Sequence, residues 1–163
     1  KVPMKTMVPI PQETSATCWR AGYEMMFQWK EKDKAGIVNK LKWDIGDEGW
    51  ATCQEKGLLR KYWGIACEAY GMYGHSGRDN TEYEYVRDML KDHGPILFHY
   101  TRDQGIHTIV LVGYDDEYEN ILIIDPWWDP GTPKAASTYG IGFSAVNKGM
   151  KGSSGWEGVL QHW

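Results

Sequence analysis

Four residue types stand in an order that suits one chemistry. Gln12 precedes Cys18 by six positions in Gln12-Glu13-Thr14-Ser15-Ala16-Thr17-Cys18-Trp19, and a helix-like run begins at Cys18. A thiol at a helix N-terminus sits at the positive end of the macrodipole, which favours thiolate over thiol. An amide side chain just upstream can turn back and donate a hydrogen bond to a developing oxyanion, beside the backbone N–H of Cys18. Downstream, Gly105-Ile106-His107-Thr108 opens a strand-like run, and a second such run ends at Asp125. An imidazole next to a thiolate stabilises it as imidazolium and later returns the proton to a leaving amine. A carboxylate fixes the ring and supports its charged form. Cys18, His107 and Asp125 as catalytic residues, with Gln12 and the Cys18 backbone as oxyanion donors, are the equipment of acyl transfer through a thiolate.

The elements that must position these residues follow from periodicity. Pro3, Pro9 and Pro11 make the first residues an extended arm. Thr14, Ser15 and Thr17 are candidate caps before the helix. Cys18, Gly22, Met25, Met26 and Trp29 then recur at helical spacing, with Ala21 on the same flank. Further helices are expected over 33–43, over 47–57 and from Thr81 to about Lys91, the last burying Tyr85, Val86, Met89 and Leu90 and stopped by Gly94-Pro95. Strand-like runs cover 96–100, 107–114, 120–125 and, more weakly, 139–146. Helices first and antiparallel strands second is an α+β layout.

Asp115, Asp116, Glu117 and Glu119 form a polar turn, so 107–125 reads as a hairpin. Pivoted near Asp116, it sets His107 opposite Asp125 on one face, within reach of a carboxylate–imidazole bond. A one-residue bulge would upset that register. Asp115, Asp116 and Asp129 compete with Asp125 for the role, and the register favours Asp125. Tyr139-Gly140-Ile141-Gly142 resembles a phosphate loop only weakly and reads better as a bent strand or loop.

Composition narrows the class. The 163 residues make about one domain, 1–163, with no convincing linker. A start at Lys1 without methionine or signal-like segment suggests a piece of a longer polypeptide. A net charge of −4 and the lack of any basic run argue against nucleic acid as the main partner. No apolar stretch approaches the roughly 20 residues of a membrane span. Nine tryptophans and ten tyrosines either fill the core or line a peptide-binding cleft. Three cysteines without Cys-x-x-Cys or His-Glu-x-x-His imply neither a disulfide framework nor a metal site, and no cofactor is expected. Cys53 and Cys67 read as core, and His75, His93, His99 and His162 as structural or surface residues.

Gln12-x5-Cys18-Trp19 resembles the nucleophile segment of papain-like cysteine peptidases, and His107 followed by Asp125-Pro126-Trp127 resembles their later motifs. Val8-Pro9-Ile10-Pro11-Gln12 and His93-Gly94-Pro95-Ile96 are similar to the compact bacterial members: bacteriocin-leader peptidases and avirulence-type effector peptidases. The resemblance spans about residues 7–128. It implies a papain-like fold, with a helical N-terminal subdomain carrying the catalytic cysteine at a helix N-terminus and packed on a C-terminal antiparallel sheet. It also implies that Trp19 and Trp127 line the cleft or shield the His107–Asp125 bond, with Trp128 the alternative to Trp127. Three departures stand out. Papain's cysteine three residues before the nucleophile is Ser15 here, the orienting residue is aspartate rather than asparagine, and the Cys–His separation is shorter than papain's.

The resemblance points to a protease acting on a protein substrate. Its nearest role is the toxic domain of a secreted or injected bacterial effector, acting in target-cell cytoplasm and restrained in its producer by a cognate immunity protein. The same triad serves a leader-processing peptidase, a peptidoglycan amidase and a glutamine deamidase or transglutaminase, so residue types do not separate these. A catalytically silent binding module has no chemical need for all four residues.

Overall fold

A computed structural model of the chain describes residues 7–12, 18–30, 67, 70–76, 82–102, 105–126, 137–152 and 157–163. In chain order its elements are α1 (Cys18–Lys30), β1 (Tyr73–Ser76), α2 (Tyr83–His93), β2 (Ile96–Arg102), β3 (Gly105–Asp115), β4 (Asn120–Asp125), β5 (Ser137–Gly142), α3 (Phe143–Lys151) and β6 (Val159–His162). The strands pair throughout as antiparallel neighbours in the order β1-β6-β2-β3-β4-β5. This is an α+β arrangement compatible with a papain-like fold. The helices expected over 33–43 and 47–57 lie outside the described residues.

The central strands carry near-continuous apolar runs because both faces of the sheet are covered. Leu97, Val110 and Ile124 join Trp19, Tyr23, Met26 and Phe27 of α1 in one core cluster. Ile96, Phe98, Ile109, Leu111, Ile121 and Ile123 alternate onto the other face. There they meet Val86, Met89 and Leu90 of α2 and Val146 and Met150 of α3. Burial of α1 is wider than the expected stripe: Trp19, Tyr23 and Phe27 are buried as well as Cys18, Gly22, Met25 and Met26. The helix is a core helix, buried well beyond a single stripe.

Close approach sets where α1 points. A Cβ on Gly22 would lie 2.7 Å from Leu97 Cδ1 and 2.9 Å from Thr108 Cγ2, so a larger residue would have to displace those side chains before the helix could settle onto β2 and β3 at that level. At the far end, Gly94 (φ 90°) leaves room for Trp29, whose Cη2 a Cβ would meet at 2.7 Å. Gly94 opens into β2, so the C-terminal end of α1 lies by the start of β2. Its Cys18 end therefore lies toward the end of β2 and the beginning of β3, where His107 stands opposite Tyr100.

The hairpin differs from the expected register in an instructive way. Asp115 pairs with Asn120, which centres the turn between Glu117 and Tyr118 rather than near Asp116. The Asp115 carboxylate accepts the Glu117 N–H at 3.1 Å, and Glu119 takes φ 49°. Continued without interruption, that register would set Val110 across from Asp125 and leave His107 on the opposite face. The register shifts between Leu111 and Gly113, so that Val110 pairs with Ile124. Ile109 then lies across from Asp125, and His107 falls two residues further along on the same face. The bulge expected to spoil the pairing is what produces it.

Other expectations also shift. Residues 139–146 do not form one strand: β5 covers Ser137–Gly142 and α3 starts at Phe143, with extended Gly142 as its N-cap. Tyr85 is exposed, and Tyr83 takes its place in the core. The Tyr83 hydroxyl donates to Asp116 Oδ1 at 2.8 Å, tying α2 to the hairpin turn. The short strands β1 and β6 and the helix α3 carry too little periodic signal to be read ahead of the fold.

Candidate active site

Three of the four expected residues meet through hydrogen bonds. His107 Nε2–H donates to Asp125 Oδ1 at 2.7 Å, and Cys18 hydrogen-bonds to the same imidazole. Both strand residues stand near strand ends, His107 two residues into β3 and Asp125 the last of β4. The diagonal placement left by the bulge spans the longer cross-strand distance, and a histidine side chain is long enough to close it. Cys18 belongs to α1.

The site is nearly sealed from water, with Cys18 and His107 each 3% exposed and Asp125 7%. Burial works against the imidazolium. The Asp125 carboxylate and the Cys18 sulfur outweigh it and hold His107 above its ordinary value. Tyr100, across from His107 on β2, presents its ring edge-to-face to the imidazole with centroids 5.9 Å apart.

Gln12 is buried, and its backbone N–H donates to the Pro126 carbonyl at 3.3 Å. That bond fastens the N-terminal arm to the residue directly after Asp125. The arm and the end of β4 thus form one local unit, which the sequence motifs alone did not indicate.

Asp125 has a second partner. The Tyr139 hydroxyl donates to Asp125 Oδ2 at 3.2 Å. Tyr139 pairs with Ile123 across β4 and β5, so it shares the face of Asp125. Its placement depends on β5 pairing with β4, a non-local register with no local sequence signal.

Trp19 is wholly buried in the α1 core cluster. It is the second residue of α1 and has no exposed surface. Trp127, Trp128 and Asp129 lie outside the described residues, as does Cys53. Asp115 and Asp116 serve the hairpin turn. Cys67 packs against the α1 cluster, and its sulfur accepts a hydrogen bond from Gln161 Nε2 at 3.2 Å. Gln161 Oε1 in turn accepts from the Tyr23 hydroxyl at 2.9 Å.

The remaining histidines do not join the site. His99 is buried beside Thr108, its Nδ1 2.7 Å from the hydroxyl, and desolvation pushes its pKa down to about 3. His75 and His162 approach Nε2 to Nε2 at 2.8 Å, and the His93 ring stacks on His162 with centroids 4.3 Å apart. His162 Nδ1–H donates to the Trp163 carbonyl, so its Nε2 is the acceptor and His75 the donor. Among the described residues no cluster of histidine, cysteine and carboxylate side chains is arranged to hold a metal. No described helix is long and apolar enough to cross a membrane.

A thiol, an imidazole and a carboxylate in bonded series are suited to nucleophilic attack on an acyl carbon. No curated protein matches the chain significantly. Residues 1–140 match the family described as papain-like cysteine protease AvrRpt2, a span that includes the Gln12, Cys18, His107 and Asp125 motifs and β1 to β4. The chain belongs to that family and is a papain-like cysteine peptidase.

Proposed function

We propose that residues 1–163 are a single catalytic domain that hydrolyses peptide bonds in a protein substrate through Cys18, His107 and Asp125. The observation that carries this reading is the buried imidazole bonded to Asp125 on one side and to Cys18 on the other. With Nε2 committed to the carboxylate, Nδ1 is the ring atom left to exchange a proton with the thiol.

In the proposed cycle the Cys18 thiolate attacks the scissile carbonyl carbon. The C–S bond forms as the carbonyl π pair moves onto oxygen. The opening of α1 at Cys18 supports a helix-end position for the nucleophile, where the dipole favours negative charge. Gln12 and the Cys18 N–H hold the oxyanion, each such donor being worth roughly 2.7–4 kcal/mol of barrier. The anchoring of the Gln12 backbone to Pro126 supports this role, because a donor must be fixed before charge develops. Collapse of the intermediate breaks the C–N bond, and the imidazolium gives its proton to the departing amine. Water then attacks the thioester, giving its proton to His107, and the new carboxyl terminus leaves as the thiolate is restored. Asp125 holds the ring throughout and transfers no proton itself.

Family membership supports a wider proposal: an effector domain acting inside a target cell, silenced in its producer by an immunity protein over the Cys18 cleft. Mass spectrometry of a cell's proteins exposed to the active chain or to Cys18→Ala tests the reaction. New peptide termini with the active chain alone are expected. Released muropeptides would indicate an amidase instead, and a one-unit mass gain without cleavage a deamidase. Inducible expression in bacterial cytoplasm tests the toxin role, with growth arrest by the active form alone expected. Equal growth of both strains removes a bacterial target.

A further inference from the structure

Building on the triad proposed above, we infer that Tyr139 is a positioning residue of the catalytic apparatus, its hydroxyl holding the carboxylate of Asp125 in the orientation that aligns His107. The Asp125 carboxylate has two oxygens with different tasks. Oδ1 receives His107 Nε2–H at 2.7 Å, and Oδ2 receives the Tyr139 O–H at 3.2 Å. A carboxylate on a single bond can swing about its Cβ–Cγ axis. Donors on both oxygens stop that rotation, so the plane of the carboxylate is set from β5.

The strand register makes this possible. Tyr139 lies opposite Ile123, one alternation from Asp125, so its ring extends diagonally along the same face. The ring is 44% exposed and Asp125 is buried, so the hydroxyl reaches inward to the acid from the surface. The contact also fits aspartate where papain-like peptidases commonly have asparagine. A carboxylate accepts at both oxygens, whereas an amide offers the tyrosine an acceptor at only one of its two ends. The groups facing His107 are then Asp125, Cys18 and Tyr100, with Tyr139 acting through Asp125.

Without a donor on Oδ2 the carboxylate turns away from the ring part of the time, and its support of the imidazolium weakens. Tyr139→Phe keeps the ring and removes only the hydroxyl. NMR titration of the ¹³C-labelled His107 imidazole, run on the whole chain with no substrate, reads the effect directly. Tyr139→Phe is expected to lower the His107 titration midpoint by a few tenths of a pH unit, as the carboxylate loses its alignment. Asp125→Ala should lower it by about one unit or more. Tyr139→Phe added to Asp125→Ala should move it no further, because the hydroxyl acts only through the acid. An unmoved or raised midpoint in Tyr139→Phe, or the same displacement with and without Asp125, overturns the inference and leaves the triad intact. A midpoint unmoved by Asp125→Ala removes the Asp125–His107 pairing itself, and this inference with it. The amide spectrum recorded alongside reports folding, and Tyr139→Leu provides a second variant lacking the hydroxyl, with the same direction expected.

Discussion

At the scale of single residues, His107 combines near-complete burial with two polar partners, and the partners decide its charge. Burial alone would lower its proton affinity, as it does at His99, which has a neutral threonine hydroxyl beside it in place of a carboxylate. Activity that needs the imidazolium should therefore persist above the ordinary histidine value of about 6.5 and fall as pH rises through the raised one. A pH profile of kcat/KM checks this, with the alkaline limb drawn down in Asp125→Ala. That variant should lose up to about 10⁴-fold in kcat yet keep residual turnover, because in the proposed cycle the acid orients the ring and moves no proton. Gln12→Ala should cost about 100-fold in kcat while leaving thiol alkylation nearly unchanged, since the role proposed for its amide is at the oxyanion and not at the sulfur. Unchanged turnover in Gln12→Ala on a good substrate would end the oxyanion assignment.

Among the elements, α1 and the β3–β4 hairpin carry the geometry, and each depends on one local irregularity. Gly22 lets α1 rest on Leu97 and Thr108, one helical turn from Cys18. Gly22→Val should drive the helix from the sheet, at about 1–3 kcal/mol in stability. Cys18 moves with the helix, so the loss of kcat should exceed what the unfolded fraction explains. Thermal unfolding and active-site titration on the same sample separate the two effects.

The hairpin shows how far the amino-acid sequence could be read. Apolar runs on both sides of a polar turn made the two strands legible, and β4 appears over the expected 120–125. The side on which His107 falls was not legible in the same way. It depends jointly on the turn centre and on the irregularity at Val112, and either alone would reverse the face. Two departures from the assumed register cancel in parity, so the pairing was foreseen with the wrong register. Tyr139 was out of reach for a different reason: its place depends on β4–β5 pairing across residues 126–136, and no periodicity reports a non-local register.

For the molecule as a whole, acid should destabilise the fold through its neutral buried histidines. His99 is held neutral down to about pH 3, and burial also lowers His75 and His162. The unfolded chain takes up protons near pH 6.5 while the folded chain does not, so stability falls as pH drops below that value. His99 alone contributes a slope of up to about 1.4 kcal/mol per pH unit between about 6.5 and 3. His107 has the opposite sign, and its contribution is lost only as pH rises above 6.5. Urea midpoints at pH 7, 5.5 and 4 should fall in that order, and His99→Gln should flatten the trend. A trend as steep in His99→Gln as in the parent would place the acid sensitivity elsewhere.

The central claim is that one thiol among three is activated by the His107–Asp125 pair. Limiting iodoacetamide near neutral pH, followed by peptide mass mapping of Cys18, Cys53 and Cys67 in the intact chain, reads it most directly. The account predicts that Cys18 is alkylated first and that His107→Ala abolishes this lead while the protein stays folded. Earlier labelling of Cys53 or Cys67, equal labelling of all three, or a Cys18 rate unaffected by His107→Ala would contradict it.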